Sequence, residues 1–590
     1  MQRLWRLSVV IAVLLCLCEQ RAFSEQPESI PIVGSGELVD LSVLPEEVVI
    51  RGRDELHQLV LTGHFANGGV KDLTTKATWR VADDAIARVE DAGLLVSVGS
   101  GKTEVLTEFA GKSVPVAVTV IDGDQPLPIN FAHEIVPIFS KLGCNAGACH
   151  GKASGQNGFK LSLLGFDPQI DYEALTRQAR GRRLFPAAPA SSLLLQKATG
   201  AVGHGGGGRL EPASRQYRLL SRWIRSGAPF GDDGDPQVVR IGVTPEQRLV
   251  APESAQQLAV TAHFSDGSQR DVTTRAEYSS NDTEIVTVSE TGLVQTHGRP
   301  GEGAVMIRFL GHLAVFRATI PQQVPAEAFA DQAAANFIDE LVFGKLRQLG
   351  IPPSSLCSDG EFLRRASIDI TGTLPSAEEV EQFLSDNDPN KRQKLVDRLL
   401  ERPAYASYFA LKWGDILRNR RKGLVRVGGG SGRTEALHGW IRQSIAENKP
   451  YDQFVREIIT AQGDAFGDDG HPAVGWYNVL KEPTVIVDDL SQVFLGTRIQ
   501  CAQCHHHPYE KWSQDDYWGM AAFFARIKLD KPKGEVPKAF NKIQSVVLMP
   551  EGSVTNRQGK QYSRPRVLGG EEIAVSAGED PRVQLADWMT

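Results

Sequence analysis

One stretch of this chain occurs twice. His64-Phe65 returns as His263-Phe264, Asp72-Leu-Thr-Thr75 as Asp271-Val-Thr-Thr274, and Gly93-Leu94 as Gly292-Leu293, each at an offset of 199 residues. Pro45-Glu46 returns as Pro245-Glu246, so the copies run from about 38 to 122 and from about 238 to 321. An offset this long means duplication of a whole domain rather than a short solenoid repeat. Each copy alternates apolar and polar residues, as in Gln58–Thr62 and Gln257–Thr261, with turn signals at Asn67-Gly68 and Asp266-Gly267. Several short strands in about 85 residues predict a small antiparallel sandwich. His64 and His263 are expected to be packing or surface residues.

The strings Asp-Leu-Thr-Thr with Ala-Thr-Trp, followed by Gly-Leu-Leu or Gly-Leu-Val, resemble bacterial Ig-like domains of group 2. That resemblance implies a surface or cell-wall setting and, with it, cell-wall polysaccharide as a partner. It implies no chemistry.

The N-terminus supports export. Arg3 and Arg6 precede an apolar run from Leu7 to Leu17, and Ala22-Phe-Ser24 offers a cleavage site, so residues 1–24 are expected to be a signal peptide. The expected location is the periplasm or the cell surface. A formal net charge of −7 with no long basic tract argues against nucleic acid as a partner. Beyond the signal, five cysteines remain. Four form close pairs followed by histidine: Cys144-Asn-Ala-Gly-Ala-Cys149-His150 and Cys501-Ala-Gln-Cys504-His505. Cys357 is expected to be a buried thiol.

Residues 126–236, between the copies, read as helical. Asn130–Lys141 leads into Cys144, and Ser214 caps a closing helix that Gly227 and Pro229 end. With Gly158-Phe-Lys-Leu161 and Trp223-Ile-Arg-Ser-Gly-Ala-Pro229, the segment resembles the cytochrome c-like domains of planctomycete multidomain proteins. The resemblance implies covalent haem c on Cys144 and Cys149, with His150 as axial ligand. The C-x4-C spacing needs a bulge, which Gly147 would permit. No methionine lies between 126 and 236, so His204, set among glycines, is the expected sixth ligand, with His133 as competitor. A local disulfide, or zinc held by two cysteines and two histidines, are the alternatives.

From 330 to 528 the pattern is all-α, with capping boxes at Ser358-Asp-Gly-Glu361 and Ser376-Ala-Glu-Glu379. Gly428–Gly432 reads as a loop. Arg364–Pro375, Asn448–Phe454 and Cys501–Pro508 resemble a domain of unknown function from the same planctomycete proteins, often grouped with cytochromes for its C-x-x-C-H. The resemblance implies a second haem on Cys501 and Cys504 with His505 on the iron; Met520, His438 and His471 are the sequence's candidates for the opposite face. Zinc, or a redox disulfide, again stand beside it. Residues 529–590 read as a linker and the opening helix of a truncated further domain.

The expected fold class is multidomain: two all-β Ig-like sandwiches, a small α-helical cytochrome c-like domain and a larger all-α domain. The expected function is electron transfer at the cell envelope with redox proteins or small electron carriers as partners. The alternative is a structural or adhesive surface protein whose Cys-His motifs bind zinc or form disulfides. No Ser-His-Asp order, paired-carboxylate signature or H-E-x-x-H supports hydrolysis, so an electron carrier or surface protein is favoured over a defined catalyst.

Overall fold

The computed structural model describes residues 33–590 except 233, 326–327, 330–332, 421–431, 466–469, 479 and 531–544. The expected signal peptide, and nearly all of the Gly428–Gly432 loop, lie outside the described residues. The chain divides into two compact units, residues 1–354 and 355–590.

The first unit holds both repeats. The first copy comprises β1 (Leu38–Leu44), β2 (Glu47–Arg51), β3 (Leu56–Gln58), β4 (Val60–Phe65), β5 (Val70–Asp72), β6 (Thr78–Val81), β7 (Ala87–Glu90), β8 (Leu94–Ser97), β9 (Gly101–Phe109) and β10 (Lys112–Ile121). They pair in three sheets ordered β1-β4-β5, β2-β10-β9-β6 and β3-β8-β7, with β2 parallel to β10. The second copy repeats this order with β11 (Val238–Thr244), β12 (Gln247–Leu249), β13 (Ala255–Gln257), β14 (Ala259–Phe264), β15 (Gln269–Asp271), β16 (Glu277–Ser280), β17 (Val286–Val288), β18 (Leu293–Thr296), β19 (Gly301–Phe309) and β20 (His312–Ile320). Alternation sends Val48, Leu61, Val105, Val116 and Val118 inward in the first copy, each contributing about 1.5–3 kcal/mol on burial. A shared turn carries the Asp-x-Thr-Thr string. Asp72 Oδ1 accepts from Thr74 N at 2.9 Å, and Asp271 Oδ1 from Thr273 N at 3.0 Å. The equivalent rings Trp79 and Tyr278 then donate to the carbonyls of Thr74 and Thr273.

The segment between the copies is helical where expected. A π-turn, Phe131–Ile135, runs into α1 (Val136–Lys141). Then come α2 (Pro168–Thr176), α3 (Leu193–Ala198) and α4 (Arg215–Arg225). Ser214 caps α4 by accepting from Tyr217 N at 3.1 Å. The core of the segment is aromatic. Phe131 lies 5.3 Å from Tyr172, 5.3 Å from Trp223 and 6.0 Å from Phe230, centroid to centroid. Leu220, Ile224, Leu175 and Ile135 complete it. The first unit ends with α5 (Phe337–Leu349), whose Phe337, Ile338 and Leu341 are exposed.

The second unit contains α6 (Asp359–Thr371), α7 (Ala377–Ser385), α8 (Lys391–Leu400), α9 (Pro403–Ile416), α10 (Gly432–Ala446), α11 (Tyr451–Thr460), α12 (Pro483–Phe494) and α13 (Gln514–Ala522). Both expected capping boxes form, at Ser358/Glu361 and Ser376/Glu379. The hairpin β21 (Ile527–Asp530) and β22 (Ser545–Leu548) and the last helix α14 (Pro581–Met589) follow. Residues expected to open a separate domain instead join this core: Val546, Val554, Tyr562 and Leu585 pack with Phe454, Trp476 and Phe524. No helix among the described residues is long and apolar enough to cross a membrane.

Candidate functional site

The first Cys-His loop begins where α1 ends. Cys144 N donates to Phe139 O at 2.8 Å, and His150 N turns back onto Cys144 O at 3.0 Å. The wide loop between the cysteines is closed by Gly151 rather than by Gly147. A Cβ on Gly151 would stand 1.9 Å from Asn145 O, whereas one on Gly147 would meet only Leu163 at 3.6 Å. Asn145 is fully buried and donates to Ser140 Oγ at 2.8 Å, tying the loop to α1.

His150 and His204 come together. Their ring centroids are 6.2 Å apart and their planes differ by 7°. His150 Nδ1 meets Phe159 O at 3.0 Å, and His204 Nδ1 meets Gly207 O at 2.8 Å. A carbonyl at Nδ1 fixes the proton there and leaves the Nε2 lone pair as the ligating position. Burial, partly offset by the Phe159 contact and reinforced by the neighbouring His204, lowers the His150 pKa and favours the neutral ring. Burial pushes the Cys144 thiol up to about 11, with Cys149 close enough to add to the effect. Cys144 is therefore a protonated thiol at neutral pH and a weak nucleophile. His133 does not compete for the site, since its ring packs against Phe264 at 5.6 Å.

The second loop lies between α12 and α13. A short 3-10 turn, Gln500–Gln503, exposes Cys501. Aromatic donors pin the loop: Trp518 Nε1 bonds Gln503 O at 3.1 Å and Trp512 Nε1 bonds Thr497 Oγ1 at 3.2 Å. The three consecutive histidines are engaged locally. His505 Nδ1 meets His506 O at 2.6 Å, Gln514 N donates to His506 Nδ1 at 3.1 Å, and Tyr509 N donates to His507 Nδ1 at 3.2 Å. Of the residues expected opposite His505, Met520 is fully buried in the helical core. His471 accepts from Ala473 N at 3.1 Å and lies 3.4 Å from Glu457. Among the described residues, no three His, Cys, Asp or Glu side chains gather as a metal site.

A third constellation escaped the sequence reading. Asp72 and Asp271 were visible only as repeat markers, yet each reaches into the other copy. Gln257 N donates to Asp72 Oδ2 at 3.0 Å and Gln58 N to Asp271 Oδ2 at 3.2 Å. Arg275 pairs with Glu55 at 2.6 Å and with Glu134 at 3.5 Å. The only sequence signal was the placement of a short acidic residue at the same point of both repeats.

Comparison with known proteins identifies two parts of the chain. A model described as a protein of unknown function (DUF1549) matches residues 337–529, and a bacterial Ig-like domain (group 2) model matches residues 237–305. Ice-binding protein 1 of Shewanella frigidimarina (strain NCIMB 400) is 21% identical over 257 residues, 43% of this chain and 25% of that protein. The chain thus spans about a quarter of the length of the relative it matches. Domains 5–6 of the S-layer protein SbsC are 11% identical, with a TM-score of 0.21, over 48% of this chain and 99% of that one. The longer rSbsC(31-844) structure is 12% identical, with a TM-score of 0.14, over 45% of this chain and 24% of that one.

These findings correct the expectation of a haem-bearing electron carrier. The matched models are an Ig-like domain and a family of unknown function, and the matched relative is an ice-binding protein. The described donors assemble no set of three, and the segment read as cytochrome c-like closes on its own aromatic core around Phe131 and Trp223.

Proposed function

We propose that this protein is a structural component of the cell surface, with the two Ig-like copies serving as a stiff spacer. One observation carries the reading: the copies are buried against each other through paired carboxylates, Asp72 onto Gln257 and Asp271 onto Gln58. Domains joined by a bare linker move independently, whereas a buried polar joint fixes their orientation. The group 2 Ig-like match over 237–305 and the likeness to an ice-binding protein support an extracellular setting. The surface is the proposed location and cell-wall polysaccharide the proposed partner.

In this reading the Cys-His loops serve stability. Cys144 and Cys149 lie within electrostatic reach of one another, and in an exported chain such a pair closes as a disulfide. Two thiols then give up two protons and two electrons to an oxidised dithiol carrier, and one S–S bond forms. His150 and His204 present two imidazoles whose Nδ1 atoms meet backbone carbonyls, leaving each Nε2 to bind one zinc ion. With no third donor gathered beside them among the described residues, they make a weak site rather than a structural zinc centre.

Protease shaving of intact cells tests the location. Loss of the chain from shaved cells, with a cytoplasmic marker spared, is the expected result. A chain that resists shaving until the cells are lysed would refute the surface role. Intact mass of the purified protein tests the chemistry: the expected species lacks two hydrogens per closed pair, whereas a haem-sized addition on Cys144 and Cys149 would overturn this account of the loops.

A further inference from the structure

The joint between the Ig-like copies is an exchange. Gln58 and Gln257 occupy the same position in the two repeats, as do Asp72 and Asp271. Each aspartate accepts its own turn's threonine N–H with Oδ1, while Oδ2 accepts both the turn's threonine hydroxyl and the partner copy's glutamine N–H. The pattern is that of a twofold interface, residue i on j and j on i, realised within one chain. The symmetry is incomplete. Gln256 adds a side-chain bond to Asp72 Oδ2 at 2.8 Å, while its counterpart, His57, supplies an electrostatic contact to Asp271. Arg248 faces Asp72, and Arg275 and Tyr278 lie within electrostatic reach of Asp271.

The helical segment grips the same joint. Glu134 receives Arg270 at 2.9 Å and Arg275 at 3.5 Å, and Arg275 continues to Glu55 of the first copy at 2.6 Å. Arg275 therefore touches all three parts of the unit. Lys141 Nζ donates to Thr274 O and Glu290 O of the second copy, both at 2.5 Å. Arg215 pairs with Glu90 of the first at 2.6 Å.

We infer that residues 33–321 form one clamped body, in which the aspartate exchange is a latch and the helical segment, through Glu134 and Arg275, is the wedge that holds the latch shut. This rests on the structural-spacer reading and gives it a mechanism. Loosening the wedge opens a joint that the wedge does not itself form. An open joint leaves the N–H groups of Gln58 and Gln257 without their buried acceptors, so opening is all-or-none rather than gradual.

Hydrogen exchange on the full chain tests it. Asp72→Asn keeps an oxygen for the Thr74 turn but sets an amide against the donors of Gln256 and Gln257. It is expected to raise exchange in peptides covering 255–257 by about tenfold, the effect of losing one charged hydrogen bond. Glu134→Gln, which touches neither strand, is expected to raise exchange at both 56–58 and 255–257. Should Asp72→Asn fail to fold, Gln256→Leu removes only the side-chain bond and is expected to raise exchange at 255–257 by about threefold. Exchange confined to the helical segment in Glu134→Gln, or unchanged protection of 255–257 in the Asp72 or Gln256 variant, would overturn the latch. Either result leaves the shaving experiment untouched, so failure of the latch and failure of the surface role are separable.

Discussion

Asp171 shows how a single carboxyl can set a pH response. It is fully buried on α2, and its two oxygens accept from Ser162 N at 2.5 Å and Ser162 Oγ at 2.8 Å. Burial outweighs these bonds and pushes its pKa up to about 7. The folded state then holds a proton that the unfolded chain, with an ordinary carboxyl near about 4, releases. Stability contributed at this site is therefore present at low pH and falls as pH rises from about 4 to about 7. Asp171→Asn cannot ionise. Its urea midpoint, compared with wild type, is expected to improve between pH 5 and pH 8 by an amount equivalent to a few kcal/mol at most. A gap between the two proteins that stays constant over this range would remove Asp171 from the response. Gly151 makes a second residue-scale point. Its Cβ would overlap Asn145 O, so Gly151→Ala is expected to lower the melting temperature at a cost of about 1–3 kcal/mol. The sequence reading chose Gly147, because a bulge between cysteines calls for a flexible residue. A close approach from Asn145 belongs to the folded loop and leaves no local signature.

At the scale of elements, local chemistry was legible and destinations were not. Ser214, Ser358 and Ser376 cap the helices their spacing announced, because a cap is settled within four residues. The helix expected within 529–590 forms as α14, but its partner lies more than 100 residues earlier. Arg582 is fully buried and donates to Ile459 O and Ala461 O, each at 3.0 Å, and to Tyr477 OH at 3.1 Å, while bracing Asp580. No periodicity reveals that an arginine will be swallowed by two carbonyls and a phenol. Arg582→Met keeps the stem but strands those acceptors and Asp580, and is expected to cost about 3 kcal/mol. Limited proteolysis should then release the segment after Glu579 early. Unchanged resistance of that segment would mean that Leu585 and Ala586 hold α14 without the arginine. The Cys-His motifs follow the same rule. Their spacing was plain, and His150 and His204 do face each other, yet the histidines of the second loop turn to backbone groups beside them.

At the scale of the molecule, the duplication was the most legible feature, since an offset of 199 residues survives any change in packing. The joint it creates was hidden, because Asp72 and Asp271 satisfy their own turns with the same atoms that reach across. Each unit builds its core from its own residues: Leu61 and Val105 in one copy, Val260 and Ile307 in the other, Phe454 and Trp476 in the helical unit. Units whose cores share no residues unfold as separate cooperative events, whereas the latch couples the two copies within the first unit. Calorimetry of the full chain is thus expected to resolve at least two transitions. Asp72→Asn should lower only the one belonging to residues 33–321, and Arg582→Met only the other. Distant, independent sites add within about 0.5 kcal/mol, so the double variant should reproduce both shifts side by side. A single transition displaced by either substitution would instead mean that the latch and the α14 anchor answer to one cooperative unit, and that the spacer extends through the helical domain.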